Sequence, residues 1–197
     1  MNQFGHVFTP SRVGLMALVF SALYLLSDVV EAIQGGFSDG QLWLTLIAEA
    51  AIPVFVLGLY AVQRPPIGRL GRISAIAYAY SYVFFTGTVV YALVNATADY
   101  TTLSDELQPW MTLHGAVMLA GGLGFGAAVL SAGVLPRWTA VSLMAGVMLV
   151  SLSPGLPAGA QLLAAAVRDL GFAGMGAALF LARATPKGRA RDKLLIR

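Results

Sequence analysis

An all-α, polytopic bundle of six transmembrane helices with both termini cytoplasmic follows from three features of the chain: its composition, the length of its apolar stretches and the alternating charge of the loops. Of 197 residues, 58% are hydrophobic and 11% are charged, against about a quarter charged in soluble domains, and the mean hydropathy is +0.78. Crossing about 30 Å of hydrocarbon takes about 20 apolar residues, and six such stretches nearly exhaust the chain. The Lys/Arg excess that marks cytoplasmic loops recurs after every second stretch, so the orientation is consistent throughout.

The first span, Val13 to Gln34, follows Arg12; Asp28 and Glu31 interrupt any cleavage region, so it reads as a retained helix rather than a secretory signal. Asp39 precedes the second span, Leu42 to Gln63, and Pro65-Pro66 with Gly68 and Gly71 break the chain after it, among Arg64, Arg69 and Arg72. The third span, Ile73 to Asn95, leads into an acidic loop with Asp99, Asp105 and Glu106. The fourth, Trp110 to Gly133, ends beside Arg137. The fifth, Trp138 to Ser153, is the shortest, and Pro154 and Pro157 turn the chain into the sixth, Ala158 to Arg183. Residues 1–183 thus make a single transmembrane domain and 184–197 a basic cytoplasmic tail. Arg183 to Arg197 holds six cations and one acid, which suits anionic lipids of the inner leaflet. The expected location is the cell inner (plasma) membrane.

At 1.5 Å rise per residue, the ionisable residues inside the spans fall in the central-to-outer part of the bundle. Asp28 and Glu31 lie near the outer end of the first span, Glu49 about 10 Å below the outer surface on the second, His114 one turn inside the fourth, and Arg168 with Asp169 near the midplane of the sixth. Buried charges of this kind normally face a bundle interior or a wet cavity, and a shared outward-facing pocket accommodates all six. Arg168 paired with one acid as a fixed structural ion pair is the plainer alternative. Four carboxylates against one arginine and one histidine leave surplus negative charge, which favours a bound cation or proton.

Tyr24, Asp28 and Glu31, spaced by four and three, share one helix face. Pro53, four residues after Glu49, deprives the Glu49 carbonyl of its helical N–H partner. The third span is aromatic, with Tyr78, Tyr82 and Phe85 on one side and Tyr80, Phe84, Thr88 and Tyr91 on another; Thr88, Tyr91 and Asn95 are expected to line the same cavity. Gly115, Gly121, Gly122, Gly124 and Gly126 in the fourth span and Gly171, Gly174 and Gly176 in the sixth mark close helix contacts.

Several chemistries drop out. Zero cysteines exclude disulfides, thiolate metal sites, iron–sulfur clusters and cysteine nucleophiles. His6 and His114 sit at opposite ends and cannot ligate one haem. No lysine lies within a span to form a retinal-type Schiff base, and neither HExxH nor GxSxG occurs. A metal set of Asp28, Glu31, Glu49 and His114 has no enforcing spacing. No cofactor, metal or nucleic-acid partner is implied.

The turn Gly133-Val134-Leu135-Pro136-Arg137-Trp138, entering a Gly/Ala-rich helix, together with Leu113-His114-Gly115 led by Asp105-Glu106-Leu107, resembles small six-helix integral membrane proteins of bacterial, actinobacterial type. The resemblance covers the C-terminal half and implies a bacterial inner-membrane bundle and no particular activity.

The functional expectation is a protein that binds or transports a small apolar or cationic molecule through the outward-facing pocket. Asp28, Glu31, Glu49, His114, Arg168, Asp169, Tyr24 and Tyr91 are the binding or proton-coupling candidates, and no catalytic residue is assigned. One alternative is a lipid or isoprenoid cyclase or isomerase in which a carboxylic acid protonates an alkene or epoxide. The other is an accessory subunit that forms homo- or hetero-oligomers through its Gly-rich helices.

Overall fold

The computed structural model describes residues 9–182; His6 and the cations from Arg183 to Arg197, with the tail they define, lie outside the described residues. Among them are seven helices: α1 (Pro10–Gln34), α2 (Asp39–Val62), α3 (Gly68–Asn95), α4 (Tyr100–Glu106), α5 (Trp110–Ala132), α6 (Arg137–Leu152) and α7 (Ala158–Leu181). Five, α1, α2, α3, α5 and α7, are long and apolar enough to cross a membrane, and α6, of 16 residues, is a shorter apolar helix.

The helix ends follow local chemistry. Pro10 stands in the first turn of α1, where its missing N–H costs nothing, and Gly35 closes that helix in the left-handed region at φ 73°, donating its N–H to the Glu31 carbonyl at 2.9 Å. Ser38 caps α2 by accepting the Gln41 N–H at 3.4 Å. The loop expected between the third and fourth spans contains α4, capped by Asp99, whose Oδ1 accepts the Thr102 N–H at 2.8 Å. Leu103 pins this short helix into an apolar cluster with Leu42, Val89 and Ala92.

Short connections make sequential helices antiparallel neighbours. α1 packs on α2, α2 on α3, α3 on α5, α5 on α6 and α6 on α7, and α7 returns to α1, so six helices close a ring. One end of the ring gathers Asp39, Asp99, Asp105 and Glu106, and the other gathers Arg12, Arg64, Arg69, Arg72 and Arg137. Large apolar side chains such as Leu15, Ile47, Ile73, Val83, Leu113 and Leu170 are exposed on the outside of the ring. Trp43 and Trp110 near the acidic end and Trp138 at the basic end are also more than half exposed, the placement of an interfacial aromatic belt.

The glycines of α5 and α7 are used within the chain. A methyl on Gly121 would meet the Tyr78 backbone at 2.8 Å, one on Gly171 the Leu143 backbone at 2.6 Å, and one on Gly176 the Gly14 carbonyl at 2.6 Å. They seat α5 on α3 and α7 on α6 and α1. Gly115 in α5 and Gly159 at the start of α7 have open space beside them. In the basic half, the interior is filled by Phe55, Leu59, Tyr78, Phe125, Phe172 and Met175, all nearly inaccessible.

Candidate functional site

A cavity of about 590 Å³ occupies the acidic half of the ring. Its stripes follow helical spacing: Tyr24, Asp28 and Glu31 on α1; Gln41, Thr45 and Glu49 on α2; Tyr82, Phe85 and Thr88 on α3; Leu162, Ala165 and Arg168 on α7. Tyr24, Glu49 and Arg168 each stand ten residues from the acidic end of their helix, which puts them at a common depth of about 15 Å. They form the floor. Asp99, Tyr100 and Asp105, from α4 and its cap, border the mouth, and α5 and α6 contribute Met118 and Val150.

On the floor, the Tyr24 hydroxyl donates to Glu49 Oε1 at 2.6 Å. Glu49 is 5% exposed, and its Oε2 has no hydrogen-bond partner among the described residues. Arg168, equally buried, is held from several sides. Its Nε donates to Asp169 Oδ1 at 2.9 Å and its Nη2 to Asp169 Oδ2 at 3.2 Å; Nη2 also stands 3.7 Å from Asp28 Oδ2. Nη1 donates to the Tyr82 hydroxyl at 3.3 Å, and the guanidinium carbon lies 4.5 Å from the Tyr24 ring centre. The backbone permits this because Gly146 of α6 lies directly against the Arg168 backbone, with no room for a Cβ, while Ser142 donates to the Val167 carbonyl at 2.9 Å.

Above the floor, a polar network ties α1 to α2. Gln41 Nε2 contacts Glu31 Oε2 at 3.3 Å, Ser27 Oγ at 3.1 Å and Thr45 Oγ1 at 3.0 Å, and the Ser27 and Thr45 hydroxyls meet one another. Gln41 is 2% exposed and its Oε1 has no partner among the described residues. Below the floor, the rings of Tyr78, Phe55 and Phe172 pack with centroids 5.4 to 5.6 Å apart and close the cavity toward the basic end.

The structure brings Tyr24, Asp28, Glu31, Glu49 and Arg168 to one cavity, with Asp169 behind Arg168. It separates the others. His114 does not line the cavity: its Nδ1 lies 2.9 Å from the Trp110 carbonyl, its Nε2 lies 3.3 Å from the Tyr80 hydroxyl, and its ring stacks on Phe84 at 3.7 Å, filling the α3–α5 groove. Tyr91 stands nine residues from Tyr82, about half a turn away around α3, and faces outward at 36% exposure. Asn95 is likewise exposed and donates to the Tyr91 carbonyl at 2.9 Å. Thr88 is the member of that expected trio that reaches the cavity. Among the described residues, no three His, Asp or Glu side chains gather as a metal-ligand set.

Gln41, Ser27, Thr45 and Tyr82 were not singled out as site residues from the sequence. Gln41, Thr45 and Glu49 recur every four residues, a polar stripe as regular as that of Tyr24, Asp28 and Glu31. Comparison of the chain with protein-family models, with curated proteins and with solved structures found no match in any of the three.

Proposed function

We propose that the chain is a six-span protein of the cell inner membrane whose cavity opens outward and binds or transports a small apolar or cationic molecule. Support for the sixth span comes from connectivity: α5 and α7 run in the same direction through the ring, so α6 must return between them. At 16 residues it covers about 24 Å, enough for a slightly thinned bilayer. Support for the orientation is the sorting of loop arginines to one end, the bias that cytoplasmic loops carry.

The observation that carries the binding reading is Glu49, a buried acid on a cavity floor with one oxygen unpartnered and no Lys or Arg within ion-pair distance among the described residues. A cavity of about 590 Å³ is of ligand size, and its walls combine aromatic and aliphatic side chains with a few polar groups. An exchange of proton and ligand at the floor carboxylates would couple binding to movement. The aromatic rings of Tyr24, Tyr82 and Phe85 in the same cavity as the acid also favour a second reading, a lipid or isoprenoid cyclase or isomerase, in which rings stabilise a cationic intermediate.

Mass spectrometry of small molecules and lipids that co-purify with the protein from its membrane tests this. A specific species present with the wild type and absent from a folded Glu49→Gln variant is the expected result. Identical bulk lipid in both samples contradicts the binding reading, and conversion of that species by the purified protein moves the enzyme reading to first place.

A further inference from the structure

Resting on the proposed binding cavity, we infer that its ligand is a protonated amine with an apolar body, the ammonium seated at Glu49 and the body against the α5–α7 wall. The charges around the cavity point to a cation. Asp28, Glu31, Glu49, Asp99 and Asp105 line it, and Arg168 is its one cation among the described residues. Arg168 is already engaged by Asp169 and Asp28. It therefore has little charge to lend to an anionic guest, and it leaves Glu49 without a counter-ion within ion-pair distance among the described residues.

Hydrogen bonding narrows the class further. Tyr24 fills one oxygen of Glu49, and the other lacks a donor among the described residues; Gln41 Oε1, also buried and lining the same cavity, lacks one there too. A buried acceptor left without a donor is costly. A quaternary ammonium supplies charge and no N–H, and a neutral alcohol supplies a donor and no charge. A protonated primary or secondary amine supplies both in one atom, and an N–H to a carboxylate is a charge-assisted bond. The rings of Tyr24, Tyr82 and Phe85 line the same cavity in mutual contact and suit a desolvated cation. Across the cavity, Met118, Val150, Leu162 and Ala165 present an apolar wall, which sets the opposite requirement for the rest of the molecule.

Three matched probes separate these demands: phenethylamine, its N,N,N-trimethyl derivative and neutral 2-phenylethanol, each titrated calorimetrically into the full chain in detergent. Phenethylamine is expected to bind about tenfold or more tighter than either relative. Glu49→Gln should remove that margin, and Glu49→Asp, which keeps the charge one methylene further back, should retain part of it. Leu162→Trp, which fills the cavity from α7, should weaken all three probes. Equal binding of the three, unchanged in Glu49→Gln but weakened in Leu162→Trp, overturns the amine assignment and leaves the cavity reading standing. No binding of any probe to the wild type, or binding indifferent to both Glu49→Gln and Leu162→Trp, overturns both.

Discussion

Arg168 and Asp169 are consecutive residues of α7, yet their side chains form a two-armed ion pair, Nε to Oδ1 at 2.9 Å and Nη2 to Oδ2 at 3.2 Å. Adjacent helical residues point about 100° apart, so the pair exists because the long guanidinium folds back on the shorter acid. That geometry neutralises Arg168 from behind and leaves it to reach Asp28 on α1 and the Tyr82 hydroxyl on α3. One side chain thereby fastens three helices at the cavity floor. Breaking a buried pair by removing one partner costs about 3–5 kcal/mol, and replacing both by apolar groups costs less. Arg168→Met should therefore lower thermal stability in detergent strongly, and Arg168→Met combined with Asp169→Leu should recover part of the loss. A double variant worse than the single one contradicts this role.

Tyr24→Phe tests the other floor contact. It removes the donor to Glu49 Oε1 and leaves both carboxylate oxygens without a hydrogen-bond partner among the described residues. The expected cost is about 1–3 kcal/mol, read as a shift of the unfolding midpoint. An unchanged midpoint would mean that water serves the carboxylate as well as the phenol does.

Close packing makes a sharper contrast. Gly146→Ala would drive a methyl into the backbone of Arg168, which should destabilise by about 1–3 kcal/mol and displace the arginine from the floor. Gly115→Ala, with open space at its position, should be neutral or gain up to about 1 kcal/mol of helix propensity. Comparable losses from the two substitutions would count against the helix arrangement.

The cap of α4 gives a pH dependence outside the spans. Hydrogen bonds from Thr102, the backbone N–H first, hold the Asp99 carboxyl below the usual carboxylate range. A group whose pKa is lowered on folding contributes stability that is fully present above its unfolded value and is lost as pH falls through the lower, folded value. Protection of residues 99–107, taken as exchange relative to the intrinsic amide rate at each pH, should thus be constant around neutral pH and fall only in acid. Asp99→Asn keeps a capping oxygen and should abolish that acid step. Persistence of the step in the variant would assign it to another group.

Much of this architecture is legible in the sequence, because apolar length and loop charge are one-dimensional signals. The apolar stretches coincide with six of the helices to within a few residues, and Tyr24, Asp28 and Glu31 share the stripe that their spacing predicts. Position along a helix is equally legible, since rise per residue fixes it. Which way a side chain faces around its helix is not, because that depends on which helices pack beside it. His114 sits one turn into α5, a helix whose Met118 lines the cavity, yet its ring turns into the α3–α5 groove against Phe84. Tyr91 and Asn95 fall on the outer side of α3, whose apolar residues surround it too evenly to reveal the buried face. The short α4 was hidden in an acidic loop, where Asp99 with the Thr102 N–H three residues on was its local signal. The partners of Arg168, namely Asp28 and the adjacent Asp169, required the fold.

The claim that an outward-opening, water-accessible cavity reaches to within about one turn of Glu49 is tested most directly by cysteine labelling, because the chain contains no cysteine of its own. Thr88, 6% exposed and lining the cavity, is replaced by Cys, and intact cells are treated with a charged, membrane-impermeant methanethiosulfonate. Modification of Thr88→Cys from outside, with Ser131→Cys near the basic end modified only after permeabilisation, is the predicted result. Protection of Thr88→Cys in intact cells, together with modification once the cytoplasmic face is opened, would contradict the account.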